Sequence, residues 1–290
     1  MSAMIIDGKE TARILRQEIK TKVEALAAEN KTVTLAVIQV GDDPASSVYV
    51  RNKNKACEEL GICSLTFKEP AEITLEDLLK EIQELNEQEE VDGILVQLPL
   101  PAHIPEKVVL EAISPFKDVD GFHPLNAGAL ATGEKGFVPG TPAGVIELLH
   151  RHGIETEGKE CVIVGRSNIV GKPLAQLMLR ENATVTVAHS KTRNLAEICR
   201  RADILAVAAG QKKMITREYV KPGAVVIDVG IHRDENNKLC GDVDFEDVYE
   251  IAGAITPVPG GVGPMTIAML MKNCLESRML REQRRKEASL

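Results

Sequence analysis

The stretch GDDPASSVYVRNKNKACEELG, residues 41–61, carries a lysine in an unusual setting. Asp42 or Asp43 suits a helix N-cap, Pro44 a first turn and Gly61 a C-terminal stop, so these residues define a helix. At about 100° per residue, Ser46, Tyr49, Lys53, Ala56, Cys57 and Leu60 share one face. Arg51, Lys55, Glu58 and Glu59 take the other. Lys53 thus stands in an apolar stripe, one turn from Tyr49. A helical lysine is ordinarily solvated, often by snorkelling. Turned toward a cleft, it loses hydration, its pKa falls, and it becomes a usable base. Gln97 closes the apolar run GILVQLP, where ligands of open α/β sheets bind beyond the strand ends. Asp118 and Asp120, in KDVDG, are candidates to accept paired N–H donors from a polar heterocycle; turn formation at Asp-Gly is the alternative.

A second chemistry is written in ECVIVGRSNIVGKPL, residues 160–174. A buried strand leads to Gly165, and Gly171 and Pro173 open a helix. Such a turn lets backbone N–H groups approach a pyrophosphate. Ser167 stands where the dinucleotide fingerprint has its second glycine, so the turn alone is weak evidence. The strand–helix–strand–helix unit around it strengthens the reading. NAD sites place an acid at the end of the second strand to hold the ribose hydroxyls. Here that strand ends in AHSKTR, with His189, Ser190, Lys191 and Arg193 and no carboxylate. With Arg166 in the turn, these donors suit a 2′-phosphate, and NADP is the expected cofactor. A solvated basic loop is the competing reading.

The elements that must position these groups alternate between apolar runs and helical patterns along all 290 residues, which predicts an α/β fold in two domains. With aromatics at 3% and no Trp, the core must be aliphatic, as in parallel sheets. An N-terminal α/β catalytic domain is expected over 1–139. A Rossmann-type NADP-binding domain with a mostly parallel sheet is expected over 140–264. The Pro- and Gly-rich span 99–142 reads as irregular, the strand before it as 91–100, and a last helix as running from 264 or 265 toward 280 with a fraying charged tail. The net charge of −8 argues against nucleic acid as partner, and an anionic substrate would need local basic residues. Six scattered cysteines without a C-x-x-C pair suggest neither disulfides nor metal. With no leader-like start or membrane-length apolar run, the expected location is the cytoplasm.

Taken together, GDDPASSVYVRNKNKACEELGI, DGILVQLPLP, SPFKDVDGFHPLNAG, PGTPAGV, VIVGRSNIVGKP, AHSKT, DVGI, GDVDF and PVPGGVGPMT resemble one family, in its order and over most of 40–270. That family is the bifunctional methylenetetrahydrofolate dehydrogenase/cyclohydrolases. The resemblance implies oxidation of 5,10-methylenetetrahydrofolate with NADP and hydrolysis of the methenyl product to 10-formyltetrahydrofolate, in one-carbon metabolism. It implies Lys53 as the catalytic lysine, Gln97 as its hydrogen-bonding partner, Tyr49 as the ring stacked on folate and Asp120 as the pterin anchor. Gly165, Arg166, Ser167, Ser190 and Ile231 would meet NADP, and Gly261 and Pro264 would lie beside folate. A homodimer is implied, with the helix of about 265–290 packed back on the first domain. Another NADP dehydrogenase on the same plan, shikimate- or amino-acid-dehydrogenase-like, explains 160–230 but not Tyr49, Lys53, Gln97 and Asp120 together. A silent NADP-binding protein leaves Lys53 without a purpose.

Overall fold

The computed structural model describes residues 2–288. The strands are β1 (Met4–Ile5), β2 (Thr34–Val40), β3 (Cys63–Glu69), β4 (Gly93–Val96), β5 (Glu160–Val164), β6 (Thr184–Ala188), β7 (Ile204–Val207), β8 (Val225–Asp228), β9 (His232–Arg233), β10 (Leu239–Cys240) and β11 (Ala254–Ile255). The helices are α1 (Gly8–Ala28), α2 (Pro44–Leu60), α3 (Leu75–Glu87), α4 (Glu106–Ala112), α5 (Pro124–Thr132), α6 (Gly140–Arg151), α7 (Gly171–Arg180), α8 (Leu195–Cys199), α9 (Phe245–Tyr249) and α10 (Val262–Ala288). Two units result.

The unit of Ile14–Ala129, Glu134–Val138 and the residues from Leu270 onward is built on a parallel sheet ordered β3-β2-β4. All seven residues of β2 are buried, as expected of a central strand covered on both faces. Ile38 and Val96 stand in register, so Gln97 emerges at the carboxyl edge of the sheet. α3 turns Leu78, Ile82 and Leu85, spaced at helical period, onto that core. From α10, Asn273 Nδ2 donates to the Val119 and Val138 carbonyls, and Ser277 Oγ to the Asp92 carbonyl.

The other unit, the described residues up to Arg13 with Leu130–Gly133 and Pro139–Met269, holds a six-stranded sheet ordered β1-β11-β8-β7-β5-β6, with every pairing parallel. Val162, Val164, Leu205, Val207 and Val226 form its aliphatic core. β1 pairs with β11, which draws the chain's first residues into this unit.

Three expectations need correction. The span 99–142 is not irregular but contains α4 and α5. α4 has seven residues and one buried side chain, Val109, and α5 is rich in small residues, so neither carries a readable period. The strand expected over 91–100 stops at Val96. The charged tail does not fray before Ala288: Arg281 pairs with Asp92 at 2.8 Å, Arg285 with Glu89, and Gln283 with Glu287, which ties the last turns down.

Candidate active site

The Asp43 carboxylate caps α2 by accepting from Ser46 N at 2.7 Å, and Gly61 ends it at φ 74°. Between the caps, the buried face is Ser46, Val50, Ala56, Cys57 and Leu60. It is centred one residue from the expected stripe. Tyr49 is therefore 44% exposed and Lys53 half-buried, both on the flank of the packed face. A flank position suits chemistry, because the group is partly desolvated yet reachable.

Lys53 Nζ donates to Gln97 Oε1 at 3.0 Å, joining α2 to the carboxyl edge of β4. Gln97 Nε2 in turn donates to the Leu98 carbonyl at 2.6 Å, which sets the amide so that its oxygen faces the lysine. Burial lowers the pKa of Lys53, and the nearby Asp120 only partly restores it. Burial pushes Asp120 up to about 6, with Lys53 opposing. Among the described residues, nothing donates a hydrogen bond to the Asp120 carboxylate, which leaves both oxygens for a ligand. Asp118 differs. It accepts from Phe122 N, His123 N and Asn126 Nδ2 at 3.2, 2.8 and 2.8 Å, so it builds the loop that presents Asp120. For Asp118 the turn-forming alternative is the right one.

In the other unit, Gly165 closes β5 at φ 136°, where an added Cβ would run into the Ala208 carbonyl. A pocket of about 260 Å³ opens there, lined by Gly165, Arg166, Ser167, His189, Ser190 and Gln211 among others. It sits at the carboxyl ends of β5, β6 and β7, where the strand order reverses direction, the usual ligand crevice of such sheets. Ser167 Oγ accepts from Val170 N and Gly171 N at 3.2 and 3.4 Å and so starts α7 in the second glycine's place. The residues fit a dinucleotide: a close backbone approach, hydroxyl and guanidinium donors, and no carboxylate at the end of β6. Ile231, 52% exposed, is not among the residues lining this pocket.

Gly261 and Pro264 also belong to this unit. Gly261 is buried with no room for a Cβ, and Pro264 stands in the first turn of α10. Lys9 N donates to the Gly260 carbonyl at 2.9 Å, and Thr266 and Thr141 share a hydroxyl bond at 2.9 Å. The structure thus gathers Tyr49, Lys53, Gln97 and Asp120 in one unit, and Gly165, Arg166, Ser167 and Ser190 in the other. Two buried acids with no role assigned from sequence, Asp228 and Asp242, underlie the nucleotide pocket. The signal lies in DVGI and GDVDF, where the acid of each motif packs against the glycine of the other: Asp228 against Gly241 and Asp242 against Gly230. Among the described residues, no group of three or more His, Cys, Asp or Glu could hold a metal, and no helix is long and apolar enough to cross a membrane.

A doubly wound nucleotide unit in a chain whose other unit bears a desolvated lysine is the plan of a two-domain, nicotinamide-dependent dehydrogenase. Comparison with known proteins gives the particular kind. The catalytic-domain model of tetrahydrofolate dehydrogenase/cyclohydrolase matches residues 6–120, and the NAD(P)-binding-domain model of the same family matches 139–282. The bifunctional protein FolD of Lachnoclostridium phytofermentans is 64% identical over 273 residues, 94% of this chain and 97% of that one. The crystal structure of the Campylobacter jejuni bifunctional enzyme FolD, methylenetetrahydrofolate dehydrogenase/cyclohydrolase, superposes with TM-score 0.95 at 49% identity, covering 97% and 100% of the two chains. The Trypanosoma brucei dehydrogenase-cyclohydrolase, solved with NADP cofactor and an inhibitor, gives 0.92 at 40% identity over 97% and 98%. The chain belongs to the tetrahydrofolate dehydrogenase/cyclohydrolase family and is a bifunctional enzyme of that kind.

Proposed function

We propose that Lys53 is the acid–base group of the hydrolytic step, with Gln97 positioning it and Asp120 and Tyr49 holding the folate. The observation that carries this is the 3.0 Å contact of a desolvated Lys53 with Gln97, beside a carboxylate free of protein donors. In its neutral form, which burial favours, the amine directs one N–H at Gln97 Oε1 and turns its lone pair toward water. That water adds through oxygen to the methenyl carbon and gives its proton to Nζ. The ammonium returns that proton to N5, the C–N5 bond breaks as the remaining hydroxyl proton leaves to solvent and the C=O forms, and 10-formyltetrahydrofolate results. Asp120 accepts paired N–H donors from the pterin edge, and the exposed Tyr49 ring offers a stacking face.

The preceding oxidation takes hydride from the one-carbon bridge of 5,10-methylenetetrahydrofolate, and bound NADP supplies the acceptor. It asks for juxtaposed rings rather than a metal or nucleophile. Gly165, Arg166, Ser167 and Ser190 hold the cofactor's phosphates and adenosine end, and Ile231, Gly261 and Pro264 lie in the same unit. The work belongs to one-carbon metabolism in the cytoplasm. Following NADPH and the methenyl species together, with methylenetetrahydrofolate as substrate, tests the reading: both must appear, and the second must decay to the formyl product.

Asp120 gives this reading a pH signature. Its acid is raised to about 6, so a folate anchor needing the carboxylate weakens below that pH. KM for folate should rise about fivefold between pH 6 and pH 5, as the ionised fraction falls from about one half to about one tenth. A raised acid also means that the folded protein binds the proton more tightly than the unfolded one, so this group lowers stability as pH rises from about 4 to 6. Asp120→Asn should therefore weaken folate binding at pH 7.5 and melt no lower than wild type. A flat KM profile down to pH 5 would overturn the anchor role.

We further propose a homodimer through β6. Among the described residues this terminal strand pairs only with β5, and it exposes Thr184, Thr186 and Val187. Sedimentation at micromolar concentration should show the dimer, and Val187→Lys should shift it toward monomer. A wild-type monomer at tens of micromolar contradicts it.

A further inference from the structure

We infer that Asp242 is the positioning residue of the nucleotide pocket, holding the 209–211 loop that forms one of its walls. Asp242 Oδ2 accepts from Ala209 N at 2.7 Å and Gly210 N at 3.0 Å. Its Oδ1 accepts from Gln211 N at 2.8 Å and from His232 Nε2 at 2.7 Å. Three consecutive amides therefore converge on one fully buried carboxylate, although they lie 31–33 residues away in sequence. The loop follows Ala208 at the end of β7, and Ala208, Ala209 and Gln211 line the pocket together with Arg166, Ser167 and Ser190.

Asp242 is itself fixed. Asp228, the buried last residue of β8, accepts from Asp242 N at 3.0 Å, Val243 N at 2.9 Å and Gly230 N at 2.9 Å. A Cβ on Gly241 would collide with the Asp228 carboxylate, and one on Gly230 with Asp242, so both glycines are required by this packing. Two carboxylates in series thus tie the end of β8 to the end of β7. A charged acceptor is needed, because each of its oxygens receives two donors. An asparagine would turn its own NH₂ toward one of those donor pairs, leaving buried donors facing donors. The loop would then be released from its place in the wall, while Arg166, Ser167 and Ser190 stay where they are.

The inference rests on the nucleotide reading of the pocket, and the test separates the two. NADPH is titrated calorimetrically into wild type, Asp242→Asn and Asp247→Asn. Asp247 is a more exposed carboxylate that accepts from Arg217 N, and the segment it holds does not line the pocket, so it controls for losing a backbone-capping carboxylate elsewhere in this unit. Asp242→Asn should raise the NADPH Kd about tenfold, as expected for losing a charge-assisted bond. Asp247→Asn should stay within twofold of wild type. Hydrolysis of methenyltetrahydrofolate, which depends on Lys53, should change less than twofold in Asp242→Asn, a split that general unfolding would not give. Should that variant fail to fold, hydrogen exchange on the wild type decides. Protection of the 209–211 amides without cofactor supports the role, and exchange at free-loop rates overturns it. Wild type that binds no NADPH overturns the pocket reading and this inference together. NADPH binding by Asp242→Asn equal to a binding-competent wild type overturns the inference alone, as does a parallel loss of hydrolysis.

Discussion

Lys53→Met is expected to lower the rate of methenyltetrahydrofolate hydrolysis by roughly 10²–10⁴-fold, the usual contribution of a positioned acid–base group. Methionine keeps the length of the side chain on the flank of α2 but offers no lone pair to water and no N–H to Gln97. Hydride transfer depends on ring placement, so NADPH formation should fall much less and the methenyl species should accumulate. The fold should persist. Burial already disfavours the charged amine, so removing it relieves a desolvated charge rather than breaking a strong ion pair. Gln97 Oε1 loses its donor, but Gln97 is only half-buried and water can replace it. Both steps and the melting temperature should be measured on one preparation. A well-folded variant that hydrolyses at the wild-type rate removes Lys53 from the mechanism, and Asp120 becomes the next group to test.

Residues whose structure is decided locally were legible. Asp43, Pro44 and Gly61 delimit α2 by capping and turn chemistry that acts within four residues. The glycine at 165 and the run before it announce β5 and its turn. Periodicity also placed Lys53 on the correct side of its helix, but assigned Tyr49 to the packed stripe where Val50 belongs. A 100° rule cannot resolve a one-residue rotation when both neighbours are large and apolar. The pairing of Lys53 with Gln97 spans 44 residues, and only the parallel register of β2 and β4 brings them together. Long-range carboxylates were harder still. Asp118 reads like Asp120 in KDVDG, yet its oxygens are engaged by the loop it closes, while Asp120's are not. α4 and α5 escaped notice because each hides its short apolar side among prolines and glycines, and only the fold around them reveals which side that is.

Arg166→Ala is expected to erode the preference for NADP by roughly 10- to 150-fold, equivalent to about 1.5–3 kcal/mol for a charge-assisted contact to phosphate. The argument starts from what is missing. β6 ends without the acid that would hold a free ribose diol, and His189 and Ser190 stand there instead. Lining the same pocket, Arg166 is exposed at the end of β5, so its guanidinium is free to fork onto a 2′-phosphate. In a chain of net charge −8 this local cation matters more, because the global field works against a polyanionic cofactor. NAD lacks the 2′-phosphate, so its kcat/KM should change less than twofold in the variant. Arg166→Lys should fall between, since it keeps the charge and loses the fork. The readout is kcat/KM for both cofactors at fixed ionic strength on all three proteins. Equal use of NAD and NADP by the wild type, or an equal loss with both cofactors in Arg166→Ala, would show that phosphate recognition lies elsewhere, with Lys191 and Arg193 the remaining cations of the AHSKTR loop.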